Sequence, residues 1–270
     1  MALRYLPVVG IMAAAIAFAL MRPERISGLS LQWEYFVAAC ITLYASFVGR
    51  ALVWWRFQRQ LGIAISRRDA VGAFCVAALT KYIPGKVWSL LAIAARSGDR
   101  GGALSVSIVQ IGWYQICVII AGFVVGSGAL MAVNGYPLVG LSGGVVWLAA
   151  AGAVLGSPAM LRRVVQPLLE RLGVELGSAS IPSVRLLFEQ AALWAMVAVA
   201  FWLMFAAAGQ DVPFLVALVQ PLANSVGMLV PFTPAGLGVR EAVGAVYLGQ
   251  HYSDMGQGIV LATLARLWFL

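Results

Sequence analysis

Apolar residues dominate long stretches of the chain, and the breaks between these stretches show how it is organised. Runs of about 17 to 25 apolar residues can cross a bilayer as helices. Such runs occupy residues 35–55, two segments between 103 and 156, and 191–208. Residues 6–21 are either a first span or a cleavable signal peptide. The pattern therefore predicts an all-α, polytopic integral membrane protein.

Basic residues predict how these spans are oriented. Trp54 and Trp55 precede a basic loop, which is typical of an aromatic belt at the cytoplasmic interface. Residues 157–188 are also basic, whereas the loops at 209–213 and 250–257 carry no Lys or Arg. We therefore predict a cytoplasmic N-terminus, in a bacterial inner membrane. The 157–188 segment would be either an amphipathic segment on the inner leaflet or an ordinary cytoplasmic connector.

Arg50 is a charged residue inside the first of these runs. It precedes Arg56 by about 9 Å at the helical rise of 1.5 Å per residue. A long arginine side chain can extend along the helix to bring its charge to the interface. We therefore expect Arg50 to reach the same interface as Arg56.

Two further apolar segments are interrupted by helix breakers. In "ALTKYIPGKVWSLLA", residues 78–92, Pro84 and Gly85 separate short arms at 70–79 and 87–95. In "PFTPAGLGVREA", residues 231–242, Pro234, Gly236 and Gly238 separate an arm at 214–230 from a shorter one at 239–249. Because short arms cannot cross about 30 Å singly, each break predicts a re-entrant helical hairpin. The first hairpin would enter from the cytoplasm and the second from outside.

These elements predict one transmembrane domain over residues 1–270, with about six spans and two re-entrant hairpins. The order span, hairpin, span occurs in residues 35–131 and again, with opposite orientation, in residues 191–270. Broken helices in corresponding positions of two inverted halves point to a binding site near the bilayer midplane. The last run, 259–270, is too short to cross alone, so either its helix is tilted among neighbours or the chain continues.

The two breaks also carry the charged residues that predict chemistry. A helix restarting at Lys86 or Gly238 exposes backbone N–H groups that suit phosphate, and Lys81 and Arg240 add charge nearby. Ionisable residues inside a membrane are functional candidates, although the lysines could instead mark an interfacial bend. Glu241 could be the counter-ion of Arg240 or could carry a proton.

Two amides precede the second break. Gln220 and Asn224 are four residues apart and therefore share one helical face. They could line the same cavity as Arg240 and Glu241. Alternatively, they could hydrogen-bond across helices without contacting any ligand.

Composition narrows the function further. The chain is 62% hydrophobic and only 10% charged, with a net charge of +8. A nucleic-acid-binding face needs clustered charge and aromatic residues on a soluble scaffold, so the excess charge more plausibly sets topology and attracts anionic lipid. The three cysteines are far apart and His251 is the only histidine, so we expect no disulfide framework, no metal and no cofactor.

The two interrupted motifs resemble a known family. The segments "KYIPGKVW" (81–88) and "PFTPAGLGVREA" (231–242), with Arg96 between them and Arg266 near the end, are similar to the flippase-like membrane domain of lysylphosphatidylglycerol synthases and its stand-alone relatives. This resemblance covers nearly the whole chain. It implies a polytopic helical domain that moves a phosphate-bearing lipid between leaflets. By this resemblance, the family's functional positions would correspond to Lys81, Pro84, Gly85, Arg96, Pro234, Gly236, Gly238, Arg240, Glu241 and Arg266.

We therefore predict a lipid translocase rather than an enzyme. Its phosphate-binding side chains would be Lys81, Lys86, Arg96, Arg240 and Arg266. Its partner would be an anionic phospholipid or a polyprenyl-phosphate lipid. Lysyl transfer is not expected, since residues 1–270 contain no aminoacyl-transfer domain.

Two other functions remain open. A membrane enzyme that modifies a lipid headgroup would need Glu241 as its base. A non-catalytic partner of a glycosyltransferase would bind that enzyme through residues 157–188.

Overall fold

The computed structural model is helical throughout the residues that it describes, which are 31–60, 66–80, 104–155, 157, 167, 183–230, 236 and 238–269. These residues contain no strand. The helices in this part of the chain are α1 (Trp33–Gln60), α2 (Arg67–Thr80), α3 (Leu104–Val133), α4 (Pro137–Leu155), α5 (Ser183–Ala207), α6 (Phe214–Ala217), α7 (Gln220–Leu229), α8 (Val239–Tyr252) and α9 (Met255–Phe269).

Four of these helices are long and apolar enough to cross a membrane. They are α1, the Gly112–Val133 part of α3, α4, and the Val184–Ala207 part of α5. All four coincide with runs that the sequence predicts as spans, so the all-helical membrane architecture is confirmed. The predicted total of about six spans includes residues 6–21, which lie outside the described residues.

Helix α1 extends beyond the predicted 35–55 run at both ends. Its 28 residues give a length of about 42 Å, more than the roughly 30 Å of hydrocarbon. The extra turn after Trp55 is basic, and the guanidinium groups of Arg59 and Arg67 lie over the Trp55 ring at 5.5 and 4.6 Å. This arrangement fits an aromatic and basic belt at the end of the span.

Helix α2 corresponds to the first arm of the predicted cytoplasmic hairpin. Ser66 precedes it, and the Ser66 hydroxyl accepts a hydrogen bond from the Asp69 backbone N–H at 3.1 Å. This bond satisfies one N–H at the start of the helix, which otherwise has no partner within it. The break at Pro84 and Gly85 and the second arm lie outside the described residues, so this hairpin stays a prediction.

Helices α3 and α4 form an antiparallel hairpin, with a turn at residues 134–136 where Gly135 has a φ of 90°. Glycines bring α3 close to other helices. A Cβ atom at Gly122 would meet the Trp194 Nε1 atom of α5 at 2.9 Å, and one at Gly126 would meet the α7 backbone at 2.5 Å. The four-residue spacing of these glycines is typical of close helix contacts in membranes.

Helix α5 lies at the centre of the described structure, where it packs against α1, α3 and α4 and also contacts α7 and α9. Its buried face includes Gln190, Trp194 and Phe201. Because α5 contacts helices from both halves of the chain, its residues can connect polar groups that are distant in sequence.

The second interrupted segment differs from the prediction in one respect. The 214–230 arm is two helices, α6 and α7, separated by a turn at residues 218 and 219. Pro221 lies in the first turn of α7, where its missing N–H costs no helical hydrogen bond, and it therefore favours a new helix start there. The predicted 214–230 arm is therefore helical, but it contains a turn. Helices α8 and α9 pack closely against each other.

Candidate functional site

Helix α8 begins at the break that the sequence singles out. Gly238 precedes it with a φ of 86°, which glycine adopts readily. The Gly238 backbone N–H donates a hydrogen bond of 2.6 Å to the Glu241 carboxylate oxygen Oε2. One N–H group that was predicted to suit phosphate is therefore already bound by a carboxylate from the same helix.

The second carboxylate oxygen of Glu241 connects α8 to α9. Glu241 Oε1 lies 3.1 Å from Arg266 Nε, and the Arg266 side chain is only 4% exposed. The sequence had offered Arg240, the adjacent residue, as the group that Glu241 neutralises. The ion pair that the structure shows for Glu241 is with Arg266.

Arg240 enters the same region from the start of α8. Its aliphatic stem passes so close to Gly227 of α7 that a Cβ atom there would clash with it. Gly236, which has a φ of 72°, packs against the same glycine of α7. A Cβ atom on Gly236 would lie 2.8 Å from the Gly227 backbone. Glycines at 227 and 236 thus allow α7 and the break to approach each other around Arg240.

These groups form a pocket with a volume of about 310 Å³, including its open mouth. Its walls carry two arginines and one glutamate, so its described side chains have one excess positive charge. The polar lining residues are Gln220, Asn224, Arg240, Glu241 and Arg266.

Gln220 and Asn224 of α7 both line this pocket. This agrees with the first of the two sequence interpretations, in which they share a cavity with Arg240 and Glu241. The Asn224 amide nitrogen donates to the Gln220 carbonyl oxygen at 2.9 Å. The Asn224 oxygen Oδ1 has no hydrogen-bond partner among the described residues, although Asn224 is only 2% exposed. Because this unsatisfied acceptor belongs to a residue that lines the pocket, it can bind a water or a ligand hydroxyl there.

The pocket is narrow in this conformation. The centre of a water molecule can reach only about 20 Å³ of it, which is enough for about one water. A phosphate headgroup therefore needs α7, α8 and α9, or their side chains, to move apart before it can enter.

The structure thus brings together the predicted residues of the second break with Arg266 of the last helix. The predicted residues of the first break lie outside the described residues, as does one proline of the second. These are Lys81, Pro84, Gly85, Lys86, Arg96 and Pro234.

Arg50 is a second buried cation, and the expectation that it reaches the interface is wrong. It is 9% exposed, and its guanidinium carbon lies 4.1 Å from the centroid of the Trp194 ring. The Arg50 carbonyl oxygen accepts a 3.0 Å hydrogen bond from the Tyr114 hydroxyl, which in turn accepts one of 2.9 Å from Gln190 Nε2. Packing of α1 on α5 decides this orientation. The only sequence signal for it was Gln190 and Trp194 on one face of an apolar helix.

A charged cluster lies nearer the start of α5, and the sequence interpretation missed it. One carboxylate oxygen of Glu189 is 3.0 Å from Arg56 of α1 and 2.9 Å from Arg185. These side chains are half-exposed and line a second small pocket. Arg185 and Glu189 have the four-residue spacing of a helical ion pair, which was a detectable signal.

The described structure therefore defines a polytopic helical membrane protein with charged residues buried between its helices. The family described as "Lysylphosphatidylglycerol synthase TM region" matches residues 6–270, and the chain belongs to this family. The resemblance inferred from the two motifs is thus confirmed. Neither a curated protein nor a solved structure matches the chain.

Proposed function

We propose that this protein is a lipid translocase that moves a phosphate-bearing lipid between leaflets of the membrane. Its family provides a membrane-lipid context. The observation that carries the proposal is the pocket that Arg240 and Arg266 line together with Glu241. Ionisable side chains between the helices of a membrane protein mark functional sites, and guanidinium groups bind phosphate oxygens well.

The pocket suggests how a headgroup is held and released. Phosphate oxygens form short, charge-assisted hydrogen bonds with arginine, often two at a time. When the headgroup enters, it replaces Glu241 on Arg266, while Glu241 keeps its bond to the Gly238 N–H. Because Glu241 competes for the same arginine, binding stays weak enough for release, which transport requires.

Residues of the first break complete the proposed route. Lys81, Lys86 and Arg96 would provide the corresponding phosphate site in the inverted half, with Pro84 and Gly85 as its break. In this proposal residues 35–131 and 191–270 are inverted halves with one re-entrant hairpin each, in a bacterial inner membrane with the N-terminus in the cytoplasm. The lipid is an anionic phospholipid or a polyprenyl-phosphate lipid.

The alternative function, a membrane enzyme that modifies a lipid headgroup, has no comparable support from the geometry of the site. It would need Glu241 as a base, and both oxygens of that carboxylate already contact a cation or an N–H group. To act as a base, Glu241 would first have to give up one of these contacts.

Leaflet exchange in proteoliposomes tests the proposal. A labelled anionic phospholipid and a labelled polyprenyl-phosphate lipid would be compared for the unaltered protein, Arg240→Ala and Arg266→Met. We expect exchange in the unaltered protein and a loss of about 10- to 100-fold in either variant, the range for one charge-assisted hydrogen bond. Arg59→Met is the matched control, since Arg59 is exposed and lies over Trp55.

The proposal fails if the unaltered protein exchanges neither lipid, or if folded pocket variants exchange lipid at the unaltered rate. In that case, capture of a glycosyltransferase that depends on residues 157–188 would favour the scaffold function.

A further inference from the structure

One face of α5 connects the charged groups of the molecule. Gln190, Trp194 and Phe201 follow one another at spacings of four and seven residues, which places them on the same side of a helix. Trp194 packs against Arg50, and Phe201 lines the pocket of Arg240 and Arg266. At 1.5 Å per residue, Trp194 and Phe201 are about 10.5 Å apart along the helix.

The same face begins near the Glu189 cluster. Glu189 precedes Gln190, and it binds Arg56 and Arg185 where α1 and α5 meet. From the start of α5 toward its end, cations therefore occur at three levels. They are the half-exposed pair Arg56 and Arg185, the buried Arg50, and the pair of the partly exposed Arg240 and the buried Arg266.

The Arg50 guanidinium has an aromatic partner, Trp194, but no carboxylate partner among the described residues. Its terminal nitrogen Nη2 is buried without a hydrogen-bond acceptor in the described part of the chain. Gln190, whose Nε2 is linked to the Arg50 carbonyl oxygen through the Tyr114 hydroxyl, has an oxygen Oε1 that also lacks a described donor. Gln190 is fully buried.

Packing alone does not account for this arrangement. A leucine or methionine would fill the space beside Trp194 without burying a charge. Stacking on an indole ring stabilises a guanidinium from one side, but it leaves the N–H groups at the guanidinium edge available for an oxyanion. The two unpartnered groups are a donor for phosphate oxygens, Arg50 Nη2, and an acceptor for a headgroup hydroxyl, Gln190 Oε1.

We propose that Arg50, held by Trp194 and linked to Gln190 through Tyr114, is an intermediate phosphate-binding site for a lipid headgroup moving along this face of α5. The site lies between the Glu189 cluster and the Arg240–Arg266 pocket, and it rests on the proposed translocase function. Opening of the α1–α5 contact admits the headgroup, and the guanidinium stays stacked on Trp194 while its edge binds phosphate.

The first test measures exchange of the labelled anionic phospholipid in proteoliposomes with Arg50→Met, Arg50→Lys and the control Arg59→Met. We expect Arg50→Met to slow exchange by about 10- to 100-fold, because one charge-assisted hydrogen bond is lost. Arg50→Lys should keep part of the rate, since it keeps the charge but not the planar fork. Arg59→Met should stay within about twofold of the unaltered rate, because Arg59 is exposed and its contact with the Trp55 ring contributes little.

The second test uses the unaltered protein and so does not depend on the folding of a variant. An anionic phospholipid with a photoreactive headgroup is crosslinked in the membrane, and the labelled peptides are mapped. We expect adducts between Gln190 and Trp194 as well as in residues 238–266. Adducts near Trp194 that inorganic phosphate removes but excess unlabelled phospholipid does not would assign the Arg50 site to free phosphate and would overturn the proposal.

The two tests separate the further inference from the proposed function. If the unaltered protein exchanges lipid but Arg50→Met exchanges at the same rate and no adduct forms near Trp194, the Arg50 site is refuted and the translocase remains. If the unaltered protein exchanges no lipid, the translocase fails, and adducts near Trp194 alone decide whether Arg50 binds a headgroup.

Discussion

The ion pair between Glu241 and Arg266 should be worth several kcal/mol to the folded protein. Glu241→Gln removes the charge but keeps an amide oxygen that can accept the Gly238 N–H, so most of the cap at the start of α8 survives. Arg266, whose side chain is 4% exposed, then keeps a buried charge without its carboxylate. Breaking a buried pair in this way costs about 3–5 kcal/mol.

The lower end of that range applies here. Glu241 is 17% exposed, and the pocket has room for about one water, which can partly solvate the remaining guanidinium. We therefore expect Glu241→Gln to destabilise the protein by about 3 kcal/mol. For a chain of roughly this size, such a loss lowers Tm by about 6–12 °C.

A double-mutant cycle measures the pair itself. Thermal unfolding in detergent would be compared for the unaltered protein, Glu241→Gln, Arg266→Met and the double variant. The double variant removes both buried charges, so its loss of stability should be about 2–3 kcal/mol smaller than the sum of the single losses. The matched control is the pair of Arg185 and Glu189, whose side chains are 62% and 23% exposed and whose coupling should be below about 1 kcal/mol.

Additive losses in the Glu241 and Arg266 cycle would refute this reasoning. They would mean that each side chain is stabilised by other groups and that the 3.1 Å approach contributes no net free energy. The phosphate-exchange step of the proposed mechanism would then lose its basis, because it depends on Glu241 and a headgroup competing for Arg266.

Three further predictions follow from the same contacts. Gly236→Ala should lower stability by about 1–3 kcal/mol in thermal unfolding, since φ is positive and the Cβ would lie 2.8 Å from the Gly227 backbone; an unchanged Tm would contradict this. Gly126→Ala should lower Tm, because its Cβ meets the α7 backbone. Gly143→Ala should raise Tm slightly through helix propensity, because its Cβ meets no described atom within 4 Å. Equal effects on Tm would show that α3 and α7 are not in close contact. Anionic phospholipid should raise the Tm of Glu241→Gln more than that of the unaltered protein, because the pocket then has a larger excess of positive charge; an equal rise would argue against phosphate binding there.

Much of the architecture could be read from local patterns along the chain. Helices α3 and α4 were predictable because two apolar runs flank a turn sequence at residues 134–137. The start of α8 was predictable from Gly238, which permits a backbone conformation that other residues rarely adopt. The second break also identified Arg240 and Glu241 as charged groups close to each other in the chain. These features depend on neighbouring residues and on the length of a bilayer span.

The pairing of charges could not be read in this way. Arg240 and Glu241 are adjacent in the chain, and no local pattern shows that Glu241 also reaches Arg266 of the next helix. Arg50 is close enough to the interface for its side chain to extend there, yet packing of α1 on α5 places it on Trp194.

The amino-acid sequence by itself therefore determined the membrane environment, the helices, the breaks between them and the charged residues available for a site. Only the tertiary structure decided which of these charges meet, because a contact between helices distant in sequence depends on the packing of their surfaces and leaves no periodic signal in either one.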